Sequence, residues 1–161
     1  MRLEIERKFL VRDNGWQSAV SASERLRDGL IFHAASAKLR VRVSDSRATL
    51  TFKGPKSGIV RHEFEYPIPR EHAEILLAEH CGDRLLVKTR HTVPHSRHVW
   101  SVDVYEGILS GIVLAEVELA SATEPFAVPD WAGEDVTGLE DYKKATLLAR
   151  ALGQSAEAGP P

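Results

Sequence analysis

Fifteen charged side chains recur at alternate positions between apolar residues, and their types suit the binding of phosphate and divalent cations. Eight are basic and seven are acidic: Lys8, Lys38, Arg40, Arg42, Lys53, Arg61, Lys88 and Arg90, and Glu4, Glu6, Glu63, Glu65, Asp103, Glu116 and Glu118. Arginine grips phosphate oxygens as a planar fork and lysine as a point charge. Carboxylates repel phosphate unless a hard cation such as Mg²⁺ or Mn²⁺ lies between them. A polyanion bound with divalent cations would satisfy both sets of charges.

The acids are arranged in pairs two residues apart. The pairs are Glu4 with Glu6, Glu63 with Glu65, and Glu116 with Glu118. Successive residues of a strand point to opposite faces, so both members of a pair share one face. Each pair has the spacing to hold a metal ion and its waters, and each is also compatible with an ordinary solvated surface.

The alternation of apolar and polar residues predicts eight strands joined by short links. The segments are 3–9, 25–33, 38–43, 49–53, 61–66, 87–90, 101–105 and 115–119. Short links between successive strands favour an antiparallel meander. Helices are predicted over 70–81 and 139–152, the second with a capping box at Thr137 and Glu140 and with Gly153 just beyond its end. The segment 121–136 is expected to be an irregular connector.

Two interpretations of the charged face follow from this pattern. The strands could form a sandwich whose charged side is wetted by solvent, where cross-strand pairs help slightly. Eight strands could also close into a barrel with the charges inside, wide enough for one small ligand. So many enclosed charges are costly unless they are paired, hydrated or ligated. The strand pattern by itself favours the solvated face, because alternating charges on a wet sheet cost little.

Composition narrows the class of protein. The chain has 161 residues, 17.8 kDa and a formal net charge of −2, less basic than expected for a protein that coats nucleic acid. We expect one domain over 1–152 and a frayed tail over 153–161. One cysteine and the absence of an apolar leader predict a cytoplasmic protein, and the longest uncharged apolar run, 107–115, is too short to span a membrane.

The ordered set of charged motifs resembles the CYTH superfamily, also called triphosphate tunnel metalloenzymes. Glu4-Ile5-Glu6-Arg7-Lys8 is similar to the E-x-E-x-K signature that opens the family. The motifs that follow in order are Leu39-Arg40-Val41-Arg42, Thr51-Phe52-Lys53-Gly54, Arg61 with Glu63 and Glu65, Lys88-Thr89-Arg90, Asp103, Glu116-Val117-Glu118 and Tyr142-Lys143. The resemblance implies an α+β, mainly β fold: an eight-stranded antiparallel closed β-barrel, open as a tunnel, with flanking helices and a C-terminal helix across one mouth.

The resemblance also implies a role for each charged residue. The metal ligands would be Glu4, Glu6, Glu63, Glu65, Asp103, Glu116 and Glu118. The substrate phosphates would contact Lys8, Arg40, Arg42, Lys53, Arg61 and Lys143. Lys88 and Arg90 would be catalytic, and it stays open whether Lys88 or a metal-bound water supplies the base. This chain has Lys143-Lys144 where the family has Lys-Asn, so which lysine faces the tunnel also stays open.

By resemblance, the expected reaction is hydrolysis of inorganic tripolyphosphate to pyrophosphate and phosphate with two Mg²⁺ or Mn²⁺ ions. A class IV-type adenylyl cyclase and a thiamine triphosphatase are alternatives on the same fold. A non-catalytic polyphosphate or nucleotide sensor is another, although it would not need the metal-binding acids. The expected partner is a small polyphosphate, with neither nucleic acid nor membrane, and a homodimer is implied by the resemblance alone.

Overall fold

A ring of β-strands dominates the structure. The computed structural model describes residues 2–34, 37–82 and 84–153, so most of the expected tail lies outside the described residues. The strands are β1 (Arg2–Val11), β2 (Ala22–Ala34), β3 (Ala37–Val43), β4 (Ala48–Lys53), β5 (Val60–Pro67), β6 (Leu85–His95), β7 (His98–Tyr105), β8 (Val113–Glu118) and β9 (Ala132–Asp135). The helices are α1 (Arg70–His80) and α2 (Lys144–Ala151). Short 3₁₀ helices lie at Gly15–Ala19, Gly107–Leu109 and Glu140–Tyr142.

Eight of the strands close into an antiparallel ring. Their order is β5-β4-β3-β2-β6-β7-β8-β1, and the beginning of β1 pairs back onto β5. At this closing seam, Arg2 to Ile5 lie opposite Glu63 to Val60, whereas the rest of β1 pairs with β8 on its other edge. The predicted eight-stranded antiparallel barrel is therefore confirmed.

The ninth strand corrects the expectation of an irregular connector over 121–136. β9 pairs with the end of β1 on the edge that β5 leaves, with Phe9 opposite Asp135 and Val11 opposite Ala132. Arg12 N–H donates to the Trp131 carbonyl at 2.9 Å, extending this pairing. A strand of four residues is too short for a visible alternation, and its pairing partner decides its conformation.

The apolar face of the ring points outward and is covered by α1 and by the links. Ala73 and Leu77 of α1 pack on Val41 and Val43 of β3. Gly29 of β2 permits this approach, because a Cβ there would lie 2.4 Å from the Cys81 sulfur. Elsewhere the outer core contains Phe9, Trp16, Trp100, Val117 and Trp131, so links as well as helices cover the ring. The solvated-face interpretation is thus wrong, and the charged face lies inside.

One helix follows its prediction and the other begins later than expected. α1 agrees with the predicted 70–81, but α2 begins at Lys144 rather than at 139. The predicted capping box does not form: the Thr137 hydroxyl donates to Asp135 and accepts from the Lys8 N–H, which ties β9 to β1. No helix among the described residues is long and apolar enough to cross a membrane.

Candidate active site

The strand pleat brings charged residues of all eight ring strands onto the inner wall. On β3, for example, Arg40 and Arg42 face inward while Val41 and Val43 pack under α1. The inner side chains form two main groups of ion pairs. We name them the Lys88 cluster, comprising Asp28, Arg42, Lys88, Arg90, Asp103 and Glu116, and the Glu4 cluster, comprising Glu4, Lys53, Arg61 and Glu63.

The Lys88 cluster alternates positive and negative charge along β3, β2, β6 and β7, and β8 adds a second acid, Glu116. The Lys88 Nζ lies 2.5 Å from Asp103 Oδ2 and 3.9 Å from Asp28 Oδ2. Arg90 donates to both oxygens of Asp103, at 2.7 and 2.8 Å, and to Glu116 at 3.0 Å. The Lys88 and Asp103 side chains are 1% and 0% exposed, so this is a charged group enclosed by protein.

Two further lysines converge on Glu116. The Lys144 Nζ, from the first residue of α2, lies 3.1 Å from Glu116 Oε1 and 4.0 Å from an Asp103 oxygen. The Lys8 Nζ lies 3.4 Å from the same Glu116 oxygen. Lys143 instead pairs with Glu140 on the surface and is 54% exposed. Of the two lysines between which the sequence left the choice open, Lys144 therefore faces the tunnel, whereas Lys143, the expected phosphate ligand, lies on the surface.

The Glu4 cluster lies at the seam between β1 and β5. Glu4 lies opposite Arg61 in the register, and the Arg61 guanidinium donates to Glu4 Oε2. The Lys53 Nζ, from β4, lies 2.5 Å from both Glu4 Oε1 and Glu63 Oε2. Lys38 faces Lys53 across the β3–β4 register, which adds a cation beside this cluster.

Arg40 of β3 extends across β4 toward β5, and its shortest contact is longer than the shortest in either cluster. Its Nη2 donates to the Thr51 hydroxyl at 3.1 Å and lies 3.5 Å from Glu65 Oε2. The Thr51 hydroxyl donates to the same carboxylate at 2.9 Å. Glu65 is 35% exposed, so this group lies nearer to solvent than the Lys88 cluster does.

Burial and ion pairing shift the pKa values within the tunnel in opposite directions. Burial raises the pKa of Glu4, but Lys53 and Arg61 outweigh it and hold that pKa well below its usual range. In the same way Lys88 and Arg90 outweigh burial and lower the pKa of Asp103. Both acids are therefore carboxylates at neutral pH.

The cations divide into two kinds. Burial and the nearby Arg90 hold the pKa of Lys88 well below its usual range, although Asp103 opposes them. Burial lowers the pKa of Lys38 to about 7, with Arg61 and Lys53 acting in the same direction. Lys144 is the reverse case: burial lowers its pKa, but Glu116, Tyr105 and Asp103 together outweigh burial and raise it. The tunnel thus contains one lysine whose pKa is raised and two whose pKa values are lowered.

The acids fit a hard cation in donor type, although they are paired with basic groups here. Two buried oxygens, Glu63 Oε2 and Glu116 Oε1, accept no aligned hydrogen bond; each has only ammonium groups beside it. Glu6 and Glu118 lie opposite each other on β1 and β8 and share the inner face with Glu116. Among residues 2–34, 37–82 and 84–153, no three His, Cys, Asp or Glu side chains already form a metal site.

The sequence analysis missed one inner residue, Asp28, and left a second, Lys144, undecided. Asp28 was overlooked because its neighbours on the same face, Leu26 and Leu30, are apolar, in the least regular predicted strand. Its signal is Gly29, whose lack of a side chain marks the outer face under α1 and so places Asp28 inside. The direction of the Lys144 side chain was left undecided because the first residue of α2 was not known.

One end of the tunnel is apolar and lies under α2. Leu114 and Tyr105 of the inner wall pack with Leu109, and Leu147 of α2 packs against them. Lys144 is the first residue of α2 and lies beside this apolar group. The helix therefore covers this end and inserts a lysine toward Glu116, as expected for a C-terminal helix across one mouth.

Comparisons with known proteins give a consistent result. The CYTH domain family model matches residues 2–152. The chain is 36% identical to an inorganic triphosphatase of Acetivibrio thermocellus over 148 residues, which cover 92% of this chain and 94% of the relative. It is 36% identical to an inorganic triphosphatase of Nitrosomonas europaea over 151 residues, covering 89% and 95%. The crystal structure of the inorganic triphosphatase NE1496 superposes with a TM-score of 0.63 at 32% identity, covering 90% of this chain and 97% of that one.

Proposed function

Because this chain belongs to the CYTH family, we propose that it hydrolyses inorganic triphosphate to pyrophosphate and phosphate inside its tunnel. The observation that carries the proposal is the closed ring whose inner wall bears paired cations and carboxylates from eight strands. A wall of one sign would suit a simple anion, whereas this wall suits a polyanion that enters with cations. The matched relatives cover nearly the whole chain, so the proposal concerns the whole domain.

The basic side chains form the substrate-binding part of the proposal. Tripolyphosphate carries about four to five negative charges near pH 7, given second phosphate pKa values of about 6. We assign its phosphates to Lys8, Arg40, Arg42, Lys53, Arg61 and, in place of Lys143, Lys144. These side chains are already held by carboxylates, so they need little reorganisation when a phosphate oxygen arrives.

The second part of the proposal concerns the divalent cations. Triphosphatases of this family generally depend on a metal ion. We assign its ligands to Glu4, Glu6, Glu63, Glu65, Asp103, Glu116 and Glu118, and we propose two Mg²⁺ or Mn²⁺ ions. When bound, such ions offset phosphate charge and activate water. Glu4, Glu63, Glu65, Asp103 and Glu116 each pair with a lysine or an arginine, so these five acids already face positive charge.

Lys88 and Arg90 are assigned to the reacting phosphoryl group. Arg90 is fixed by Asp103 and Glu116, and Asp103 outweighs burial to raise its pKa, so it stays charged beside a leaving group. Lys88 lies at the centre of the same cluster and contacts two carboxylates. That Lys88 acts as the general base stays a prediction, as does the homodimer.

The proposal is tested by phosphate release from tripolyphosphate, ATP and thiamine triphosphate, each with Mg²⁺, with Mn²⁺ or with a chelator. We expect metal-dependent release from tripolyphosphate and weak release from the other two substrates. Glu6→Gln should abolish it. Glu106→Gln should not, because Glu106 pairs with Arg25 outside the ring.

Other outcomes would replace this proposal with a different one. Formation of cyclic AMP and pyrophosphate from ATP would indicate a cyclase. Faster turnover of thiamine triphosphate than of tripolyphosphate would indicate a thiamine triphosphatase. Tight binding of tripolyphosphate without release of phosphate would indicate a sensor.

A further inference from the structure

Asp28 is a buried tunnel acid to which the sequence comparison gives no role. It lies directly opposite Arg42 in the β2–β3 register. Its Oδ1 accepts from Arg42 Nε at 2.6 Å, and its Oδ2 accepts from Nη2 at 2.7 Å. The two side chains are 6% and 13% exposed, so the pair is well shielded from water.

Stability alone does not account for such a pair. Moving two charges out of water costs about as much as their attraction returns, and a packed apolar pair is often equally stable or more so. A bidentate pair does fix the plane of the guanidinium, which a single contact does not. Asp28 uses two of the five N–H donors of Arg42 and leaves the others for a second acceptor.

The partners of Asp28 distinguish it from Glu116, whereas Asp103 accepts from Arg90 on both oxygens in the same way. Both of its oxygens accept an aligned hydrogen bond from Arg42, whereas Glu116 Oε1 accepts none. Asp28 Oδ2 also lies 3.9 Å from the Lys88 Nζ, so the carboxylate separates two cations. Without it, Arg42 and Lys88 would lie on the same wall with no anion between them.

We propose that Asp28 is a positioning residue, which holds the Arg42 guanidinium in the orientation that a substrate phosphate meets in the tunnel. The inference rests on the proposed triphosphatase function and deepens it. Arg42 touches the substrate and Asp28 acts through Arg42. The carboxylate therefore contributes to the rate through orientation, and its loss should leave the attraction of the tunnel for a polyanion in place.

The test compares kcat and KM for tripolyphosphate in Asp28→Asn, Arg42→Gln and the double variant. Asp28→Asn should lower kcat by about 10- to 100-fold, the usual cost of a lost supporting contact, and change KM by less than about threefold. Arg42→Gln should lower kcat and raise KM, because it removes a phosphate contact. In the Arg42→Gln background, Asp28→Asn should change kcat by less than about threefold.

Two further variants keep the test decisive. Glu106→Gln alters a bidentate Arg–carboxylate pair outside the ring, formed with Arg25 of the same strand as Asp28, and should match the wild type. Asp28→Glu keeps the charge but shifts the carboxylate by one methylene, so it answers the question if Asp28→Asn does not fold. It should lower kcat by about tenfold with KM unchanged. Circular dichroism melts would show which variants are folded at the assay temperature.

The outcomes separate this inference from the function on which it rests. If wild-type protein releases no phosphate from tripolyphosphate, the proposed function is wrong and the role of Asp28 falls with it. If the wild type is active and the folded Asp28 variants match Glu106→Gln, the inference alone is overturned. Equal losses from Asp28→Asn with and without Arg42 would also overturn it, because Asp28 would then not act through Arg42.

Discussion

The Lys88 cluster and the Glu4 cluster use the same residue types at different kinds of places in the ring. The Lys88 cluster spans β3, β2, β6, β7 and β8, which are paired one to the next along long ladders. The Glu4 cluster spans the seam, where β1 and β5 pair through four residues of each strand. Arg61 reaches Glu4 across that short ladder, and Lys53 joins it from the neighbouring strand.

This difference indicates what each cluster contributes. The backbone ladders hold the wall around Lys88 without help from side-chain charge, so those charges are available for chemistry. At the seam the ladder is short, and the ion pairs of Glu4 are part of what holds β1 against β5. We therefore expect substitutions in the Lys88 cluster to cost mainly activity, and substitutions in the Glu4 cluster to cost stability as well.

The largest expected effect is the loss of activity in Lys88→Met. Methionine fills a similar volume, and the two acids beside Lys88 each keep an arginine partner, Arg42 for Asp28 and Arg90 for Asp103. The fold should therefore survive, while kcat/KM for tripolyphosphate falls by about 10³-fold because a charge is lost at the reacting phosphate. Steady-state phosphate release and a thermal melt of the same preparation measure both.

The matched comparison is Lys53→Met in the Glu4 cluster. Lys53 is also a buried lysine between two carboxylates, but both of these lie at or next to the seam. The Lys53→Met substitution should lower the melting temperature more than Lys88→Met does. Equal melting temperatures for the two variants would remove the distinction between wall and seam.

The next effect is on the free energy of unfolding of Glu4→Gln. Glutamine keeps the shape but leaves Lys53 and Arg61 without their shared anion, and loss of one partner of a buried ion pair costs about 3 kcal/mol. Glu79→Gln, at an exposed position on α1, should change the same quantity by less than about 0.5 kcal/mol. Urea denaturation measures both, and equal losses would contradict a structural role for the seam pair.

The strands and the charged face could be predicted because alternation is a local signal. Leu39, Val41 and Val43 against Arg40 and Arg42 specify a strand with one charged side, whatever its neighbours are. The direction of that side could not be predicted from the strand alone. It depends on closure of the ring through β1 and β5 and on α1 covering the apolar face, which are long-range contacts.

The errors arose where a single tertiary contact overrides a local signal. Thr137 has the spacing of a helix cap, but its hydroxyl is used to join β9 to β1. The helix consequently starts later. Adjacent helical residues point about 100° apart, so the starting residue decides that Lys144 enters the tunnel and Lys143 does not. The family resemblance located the pair of lysines but could not choose between them.

The smallest expected effect concerns Lys38, the extra cation beside the Glu4 cluster. Burial, with Arg61 and Lys53, lowers the Lys38 pKa to about 7 in the folded protein, against about 10.4 in an unfolded chain. Below pH 7 Lys38 is protonated in both the folded and the unfolded protein, and the folded state bears the full cost of the buried charge. Between about pH 7 and pH 10.4 the unfolded state binds more protons than the folded state, so the free energy of unfolding of the wild type rises with pH.

The free energy of unfolding of Lys38→Met relative to wild type should therefore fall by about 1–3 kcal/mol from pH 6 to pH 9. Lys38→Arg is charged at both pH values. In urea denaturation, its free energy of unfolding relative to wild type should fall with pH at the same slope, but from a lower value at pH 6. A difference from wild type that does not change with pH would show that Lys38 keeps its proton and that the cations at the seam are fully offset by Glu4 and Glu63.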